Sequence, residues 1–261
     1  MTAVSGAIPH LFDAWDQARQ IIRHASHVAL FLDFDGTLVP LGRTPDQVRL
    51  TSPTRRVLRR LVRNPRVRVW VISGRRREEL RQRLGVEGVR YLGLYGWERG
   101  VRPSLPAPAR NSLRRAKILL AEQLSRYPDV SIEDKRLSIT IHRPYGSTAA
   151  RRDPIASLVR EVSGHFKPHL KLIENLRGWE VIPVGCPEKG LAVGEELAHF
   201  APRDALPVYL GDDLSDEPAF AALSRGLTIL VGCPRRTRAH YRLFGPWEVP
   251  RALARLEANL T

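Results

Sequence analysis

Two carboxylates stand two residues apart in Asp33-Phe34-Asp35-Gly36-Thr37-Leu38, directly after a short apolar run. On an extended backbone such residues point to the same side, so the pair can share one task. Phosphoryl transfer needs an oxygen nucleophile, a cation to offset the phosphate charge and an acid for the departing alcohol. Asp33 is expected as the nucleophile and Asp35 as general acid, then base. Gly36 lets the chain turn tightly toward a phosphate, and Thr37 offers a hydroxyl and backbone amides as donors. Asp-Gly is also a common surface-turn pair, so the hexapeptide alone does not decide the matter.

A second group, Gly211-Asp212-Asp213-Leu214-Ser215-Asp216-Glu217, sets four acids within six residues after another apolar run. That much charge is unfavourable without a cation unless the loop is simply solvated, and hard carboxylate oxygens favour magnesium. The expected metal set is Asp212, with Asp213 beside it, the Asp33 carboxylate and the carbonyl of Asp35. Further donors for phosphate oxygens are Ser73 in Ser73-Gly74-Arg75 and Lys189 in Glu188-Lys189-Gly190. The chain has only five lysines among 42 basic residues, so a lysine here suits a compact charge rather than a fork.

The elements that must position these residues are visible as apolar runs. Val28 to Leu32 ends at Asp33, Val67 to Ile72 at Ser73, Tyr91 to Leu94 near Gly96, Val208 to Leu210 at Gly211 and Asp212, and Leu227 to Val231 at Gly232. Leu11, Trp15, Ala18 and Ile22 recur at helical spacing before the first run. Fully apolar strands separated by helices imply a parallel sheet covered on both faces, with ligands gathered outside the carboxyl ends of the strands. Asp33, Ser73 and Asp212 converge there in this reading.

Between Arg110 and Pro183 the grammar changes. A helix is expected from Asn111 to Arg126, strands over Val130 to Glu133 and Leu137 to His142, and a second helix capped by Asp153 with Pro154 at its first position. Two more strands, Leu170 to Glu174 and Trp179 to Pro183, are joined by a tight turn over Asn175 to Gly178. The fold class is therefore α/β, a Rossmann-like parallel-sheet core (1–109 and 184–261) with an inserted αββαββ cap of α+β type (110–183). The apolar phase shifts from Val130 and Ile132 to Leu137, Ile139 and Ile141, which calls for a bulge or turn around Asp134 to Arg136. Glu180, between Trp179 and Val181, points to the face opposite those two.

Composition narrows the classes. At 43% hydrophobic residues the chain is an ordinary globular protein, and its apolar runs are too short to span a bilayer. Met1 to His10 carries no basic start followed by a long apolar stretch, so a cytoplasmic protein without a membrane is expected. Cys186 and Cys233 stand alone, without metal or disulfide spacing. The net charge of +15 is spread along the chain with no aromatic-interleaved nucleic-acid motif, and no nucleic-acid partner is expected.

The ordered motifs Asp33-Phe-Asp35-Gly-Thr, Ser73-Gly-Arg, Lys189-Gly and Gly-Asp212-Asp213-Leu-Ser-Asp216-Glu217 together resemble the haloacid-dehalogenase-like phosphatases along the whole chain. The segments Val130 to Arg143, Glu180 to Pro183 and Pro187 to Gly190 look like the trehalose-6-phosphate phosphatases within them. The resemblance implies magnesium-dependent release of phosphate from trehalose 6-phosphate, the last step of trehalose biosynthesis. It also implies that Glu133, Lys135 and Glu180, with His142 and Arg143 in the same motif, bind the sugar. Related sucrose-phosphate or mannosyl-3-phosphoglycerate phosphatases share this cap type, and a noncatalytic basic binding protein is the remaining alternative. Two positions depart from the family pattern: Tyr95, where histidine or asparagine is usual, and Ser215, where threonine is. A small sugar phosphate is the expected partner, and a monomer the default.

Overall fold

The computed structural model describes residues 8–42, 49–100, 103–143 and 153–260, so the reading of Met1 to His10 falls mostly outside the described residues. Contacts divide the chain into two compact units, Met1–Gly100 with Glu188–Thr261, and Val101–Pro187.

The first unit is a six-stranded parallel sheet in the order β10-β9-β8-β1-β2-β3. Its strands are β1 (Val28–Asp33), β2 (Val67–Ile72), β3 (Arg90–Leu92), β8 (Leu206–Gly211), β9 (Leu227–Val231) and β10 (Tyr241–Leu243). The apolar runs form strands because alternate residues enter two different cores. Val28, Leu30 and Leu32 of β1 pack with α1 (Trp15–His24), α2 (Ser52–Arg63), α3 (Arg77–Leu84) and α8 (Val249–Ala258), whereas Ala29 and Phe31 pack with α6 (Lys189–Phe200) and α7 (Glu217–Ala222). Val67, Val69 and Val71 of β2 face the first core, and Trp70 and Ile72 the second. A sheet covered on both faces has no polar side to offer, so its chemistry gathers at the strand ends. β10, three residues at the sheet edge, was not among the expected strands.

β1 is central, with Asp33 level with Ile72 of β2 and Leu32 level with Leu210 of β8. That register brings the residues after β2 and β8, Ser73 and Asp212, to the same edge as Asp33.

The second unit is an antiparallel sheet in the order β4-β5-β7-β6, formed by β4 (Ser131–Asp134), β5 (Ile139–His142), β6 (Leu170–Asn175) and β7 (Gly178–Pro183). α4 (Ala107–Leu124) and α5 (Pro154–Gly164) pack on one face through Leu113, Leu120, Val159 and Val162, against Ile139, Ile141, Trp179 and Val181. α4 begins earlier than Asn111 because Pro108 is accommodated in its first turn. Asp153 caps α5 as expected, its Oδ1 accepting from the amides of Ile155 and Ala156 at 3.0 and 3.1 Å. The phase shift in the first hairpin is absorbed by a turn, closed by Lys135 N–H to the Ser138 carbonyl at 3.0 Å, with Arg136 at φ 67°. Among the described residues no helix is long and apolar enough to cross a membrane.

Candidate active site

At the end of β1 the Asp33 side chain is buried, the residue being 4% exposed. Lys189, the first residue of α6 and 3% exposed, donates from Nζ to Asp33 Oδ1 at 2.6 Å and to Asp216 Oδ1 at 2.7 Å. Asp216 Oδ1 also accepts from the Tyr209 hydroxyl at 2.7 Å, and its Oδ2 accepts from the amides of Asp212 and Asp213 at 3.0 and 2.9 Å. Arg235 fixes the same loop from outside, donating to the carbonyls of Asp212 and Asp213 at 2.6 and 2.9 Å.

Asp212 lies across from the turn after β1. Thr37 Oγ1 donates to Asp212 Oδ1 at 3.4 Å, and a Cβ on Gly36 would stand 2.0 Å from Asp212 Oδ2. Gly36 also holds φ +87°, so the position excludes a side chain on both counts. Carboxylate oxygens of Asp33, Asp212 and Asp216 all fall within 4.8 Å of one another.

The electrostatics follow from crowding acids away from water. Burial, opposed by Lys189 and aided by Asp216, pushes the Asp33 carboxyl up to about 7. Loss of solvation, then Asp33 and Asp216, holds Asp212 well above the usual carboxylate range. Burial also works against the Lys189 ammonium, but Asp216 and Asp33 outweigh it and hold that group above its ordinary value. Burial and then Asp216 keep the Tyr209 phenol well above its usual value, so it donates as a neutral hydroxyl. An all-oxygen, hard donor set with surplus negative charge fits magnesium, and Asp33 and Asp212 are the residues that would hold it.

Two expected contributors sit elsewhere. Asp213 is outside the three-acid cluster: its carboxylate caps the 3₁₀ turn Leu214–Asp216, accepting from the Leu214 amide at 2.6 Å. Arg75, expected on phosphate, is committed to Asp35 through Nε–Oδ2 at 2.6 Å and Nη2–Oδ1 at 2.8 Å, and to Glu79 as well. Asp35 is thereby held in a two-point ion pair. Ser73 is buried, and its Oγ accepts from the Arg75 amide at 3.2 Å, across the single residue Gly74. Tyr95, one of the departures from the family pattern, has φ 59° and ψ 22°, a left-handed conformation that asparagine tolerates better than tyrosine.

In the second unit the polar residues share the sheet face away from α4 and α5. Register places Glu133 opposite Thr140, and Thr140 opposite Glu180. Glu180 is 1% exposed, and its Oε1 accepts from Ser138 Oγ at 2.7 Å and lies 3.4 Å from Lys135 Nζ. Its side follows the alternation read from the sequence, and Ser138 and Lys135 close over the carboxylate. His142 Nε2 and Glu133 Oε2 are 3.0 Å apart. Arg143 bonds to Asp153 and stacks over the Trp179 ring at 4.0 Å, which ties it to the packing of α5 rather than to the polar face.

A family model described as trehalose-phosphatase matches residues 31–243. The chain belongs to the trehalose-phosphatase family. It is 31% identical over 251 residues to a trehalose-phosphate phosphatase of Mycobacterium tuberculosis, covering 90% of this chain and 63% of that protein. To the probable trehalose-phosphate phosphatase 4 of Oryza sativa subsp. japonica it is 29% identical over 245 residues, covering 88% and 65%. The chain thus spans just under two thirds of the length of these relatives. The C-terminal domain of Candida albicans trehalose-6-phosphate phosphatase has the same fold, with TM-score 0.77 at 20% identity over 97% of this chain and 100% of that one.

Within this trehalose-phosphatase family member, sequence reasoning left Asp216 and Tyr209 without a role. Asp216 was visible as one of four acids, but only the 3₁₀ turn decides which of them returns to Lys189. Tyr209 reads as one more apolar strand residue, and nothing in its neighbours announces the hydrogen bond.

Proposed function

We propose that the chain is a magnesium-dependent trehalose-6-phosphate phosphatase working through an aspartyl-phosphate on Asp33, as a cytoplasmic monomer whose partner is the sugar phosphate. The observation that carries this reading is the joining of Asp33, Lys189, Asp212 and Asp216 at one end of the central strand. Asp33 Oδ attacks phosphorus, the bond from phosphorus to the sugar oxygen breaks, and the departing alkoxide takes a proton from Asp35. Water then attacks the aspartyl-phosphate, giving its proton to Asp35, and inorganic phosphate leaves with Asp33 regenerated. Lys189 supports the phosphate oxygens and Asp33 throughout. The backbone of Gly36 to Thr37 and of Ser73 to Arg75 supplies the remaining donors.

Asp35 must leave its two-point pairing with Arg75 and take up a proton from solvent before it can give one to the alkoxide, and an incoming phosphate dianion competes for that same guanidinium. A bound magnesium ion supplies charge that keeps Asp33 ionised and offsets the developing charge on phosphate. Range 110–183 is assigned to sugar recognition, with Glu133, Lys135, His142 and Glu180 on its polar face, while 1–109 and 184–261 perform the chemistry.

The test compares phosphate release from trehalose 6-phosphate and from 4-nitrophenyl phosphate in the wild type, Asp33→Asn and Glu180→Ala. Asp33→Asn is expected to lose turnover on both by orders of magnitude. Glu180→Ala is expected to lose at least about tenfold in kcat/KM on the sugar phosphate, roughly 1.4 kcal/mol, and little on the aryl ester. Near-normal turnover in Asp33→Asn removes the covalent mechanism. If the wild type prefers a sucrose or glycerate phosphate, the chemistry stands and the substrate does not.

A further inference from the structure

The polar face of the second unit carries one group whose hydrogen bonding is incomplete. Thr140 is 6% exposed, and its Oγ1 has no hydrogen-bond partner. Three other side-chain atoms among the described residues of this unit share that condition, on Arg143, Ser163 and Trp179. None of the three is in the cross-strand row of acids: Trp179 belongs to the apolar core, Ser163 to α5, and Arg143 stacks on Trp179. Thr140 sits at the centre of that row, opposite Glu133 on β4 and opposite Glu180 on β7. Its neighbours are accounted for, Glu180 by Ser138 and Lys135, and Glu133 by His142.

Buried hydroxyls are rarely left unpaired, because the group has given up water without replacement. Such an atom at the middle of a polar row has the properties of a ligand contact. Its chemistry adds what the neighbours lack: ionised carboxylates only accept and an ammonium only donates, whereas a hydroxyl does both. Directly opposed residues on antiparallel strands have Cβ atoms about 5 Å apart, so Glu133, Thr140 and Glu180 span roughly 10 Å in a line. A ligand with adjacent hydroxyls can donate one to Glu180 and the next to Glu133, while the Thr140 hydroxyl between them donates to the oxygen of one of the two. Chains of that kind polarise one another and strengthen.

We propose that Thr140 is a specificity-determining residue of this protein, whose hydroxyl bonds one of the vicinal hydroxyls of the sugar held between Glu133 and Glu180. The inference rests on the reading above that this face recognises the sugar.

The test uses Thr140→Val, which keeps the β-branched shape and removes the hydroxyl, and Thr140→Ser, which keeps the hydroxyl and removes the methyl. Thr140→Val is expected to raise KM for trehalose 6-phosphate about fivefold to tenfold, with kcat and the rate on 4-nitrophenyl phosphate within about twofold of wild type. Its Tm is expected to be unchanged or higher, because replacing an unpaired buried hydroxyl by a methyl is neutral or stabilising. Thr140→Ser is expected to restore most of the KM. A lower Tm in Thr140→Val with parallel losses on both substrates overturns the proposal in favour of a structural hydroxyl, and so does an unchanged KM. Failure of the substrate reading is seen separately, as a wild type that prefers another sugar phosphate. In that event the same Val-to-Ser comparison on the preferred sugar phosphate decides the role of Thr140.

Discussion

Replacing Lys189 by methionine tests the charge arrangement most directly. Its Nζ is the cation that contacts Asp33, at 2.6 Å, and Asp216, at 2.7 Å, and the Lys189 and Asp33 residues are 3% and 4% exposed. Removing one partner of a buried ion pair costs about 3–5 kcal/mol, chiefly because the other charge stays behind unpaired. Asp216 keeps the Tyr209 hydroxyl and two backbone amides, so the cost falls mainly on Asp33. At about 2–4 °C per kcal/mol for a protein near this size, Tm should drop by roughly 6–20 °C at pH 7.5 without metal.

The pH dependence has a definite sign. Burial and the nearby acids hold the Asp33 carboxyl up near 7, so the folded protein keeps a proton that the unfolded chain has released. Stability from this group is therefore fully present below the ordinary carboxyl value of 3.8 and is lost as pH rises toward 7. In Lys189→Met the opposing cation is gone, the carboxyl rises further, and the Tm deficit should shrink between pH 7.5 and pH 5.5. Thermal unfolding of Lys189→Met, Asp33→Asn and the double variant closes the cycle, and Asp33→Asn should recover at least about 2 kcal/mol of the loss. A deficit that is the same at both pH values and in both backgrounds would refute the reasoning and make Lys189 a packing residue.

Magnesium should raise Tm, and by more at pH 7.5 than at pH 5.5, since protons and the cation compete for Asp33 and Asp212; equal shifts at the two pH values would count against that site. Chelation should end turnover and added magnesium should return it. Asp35→Asn should slow release from trehalose 6-phosphate far more than from 4-nitrophenyl phosphate, whose leaving group hardly needs a proton, and equal losses would remove the acid assignment.

The parts legible in the sequence were those set by local pattern. Val67 to Ile72 is a strand of that length because its alternate residues enter two cores, and a run that is apolar except for the exposed Arg68 announces such a position. Trp179, Glu180 and Val181 were legible as sides of a strand for the same reason. What stayed hidden depends on contacts distant in sequence. Arg75 meets Asp35 forty residues away, so a guanidinium that looked available for phosphate is engaged. β10 has only Tyr241–Leu243 to show, too short for any periodicity. Glu180 could be given a side but not its burial, because Ser138 is joined to it only when β5 and β7 pair.

The acidic loop shows how an unresolved pattern becomes an assignment. With all three ionised, Asp33, Asp212 and Asp216 face one ammonium, Lys189, which leaves a formal charge of −2 (three minus one). A monovalent cation would leave part of that uncompensated in a poorly solvated space, and a divalent one balances it. Asp216 already accepts four hydrogen bonds, two at each oxygen. Its task is therefore to hold Lys189 against Asp33 and to fix the amides of Asp212 and Asp213. The side chains that would hold an ion are then those of Asp33 and Asp212, beside the Asp35 carbonyl expected from the sequence, a sparse set of the kind magnesium prefers. Asp213 is spent on the cap of the turn and Glu217 on Arg235 and the Arg238 amide, so where the 3₁₀ turn places them leaves Asp212 alone of the four acids of the motif with a carboxylate available to a cation.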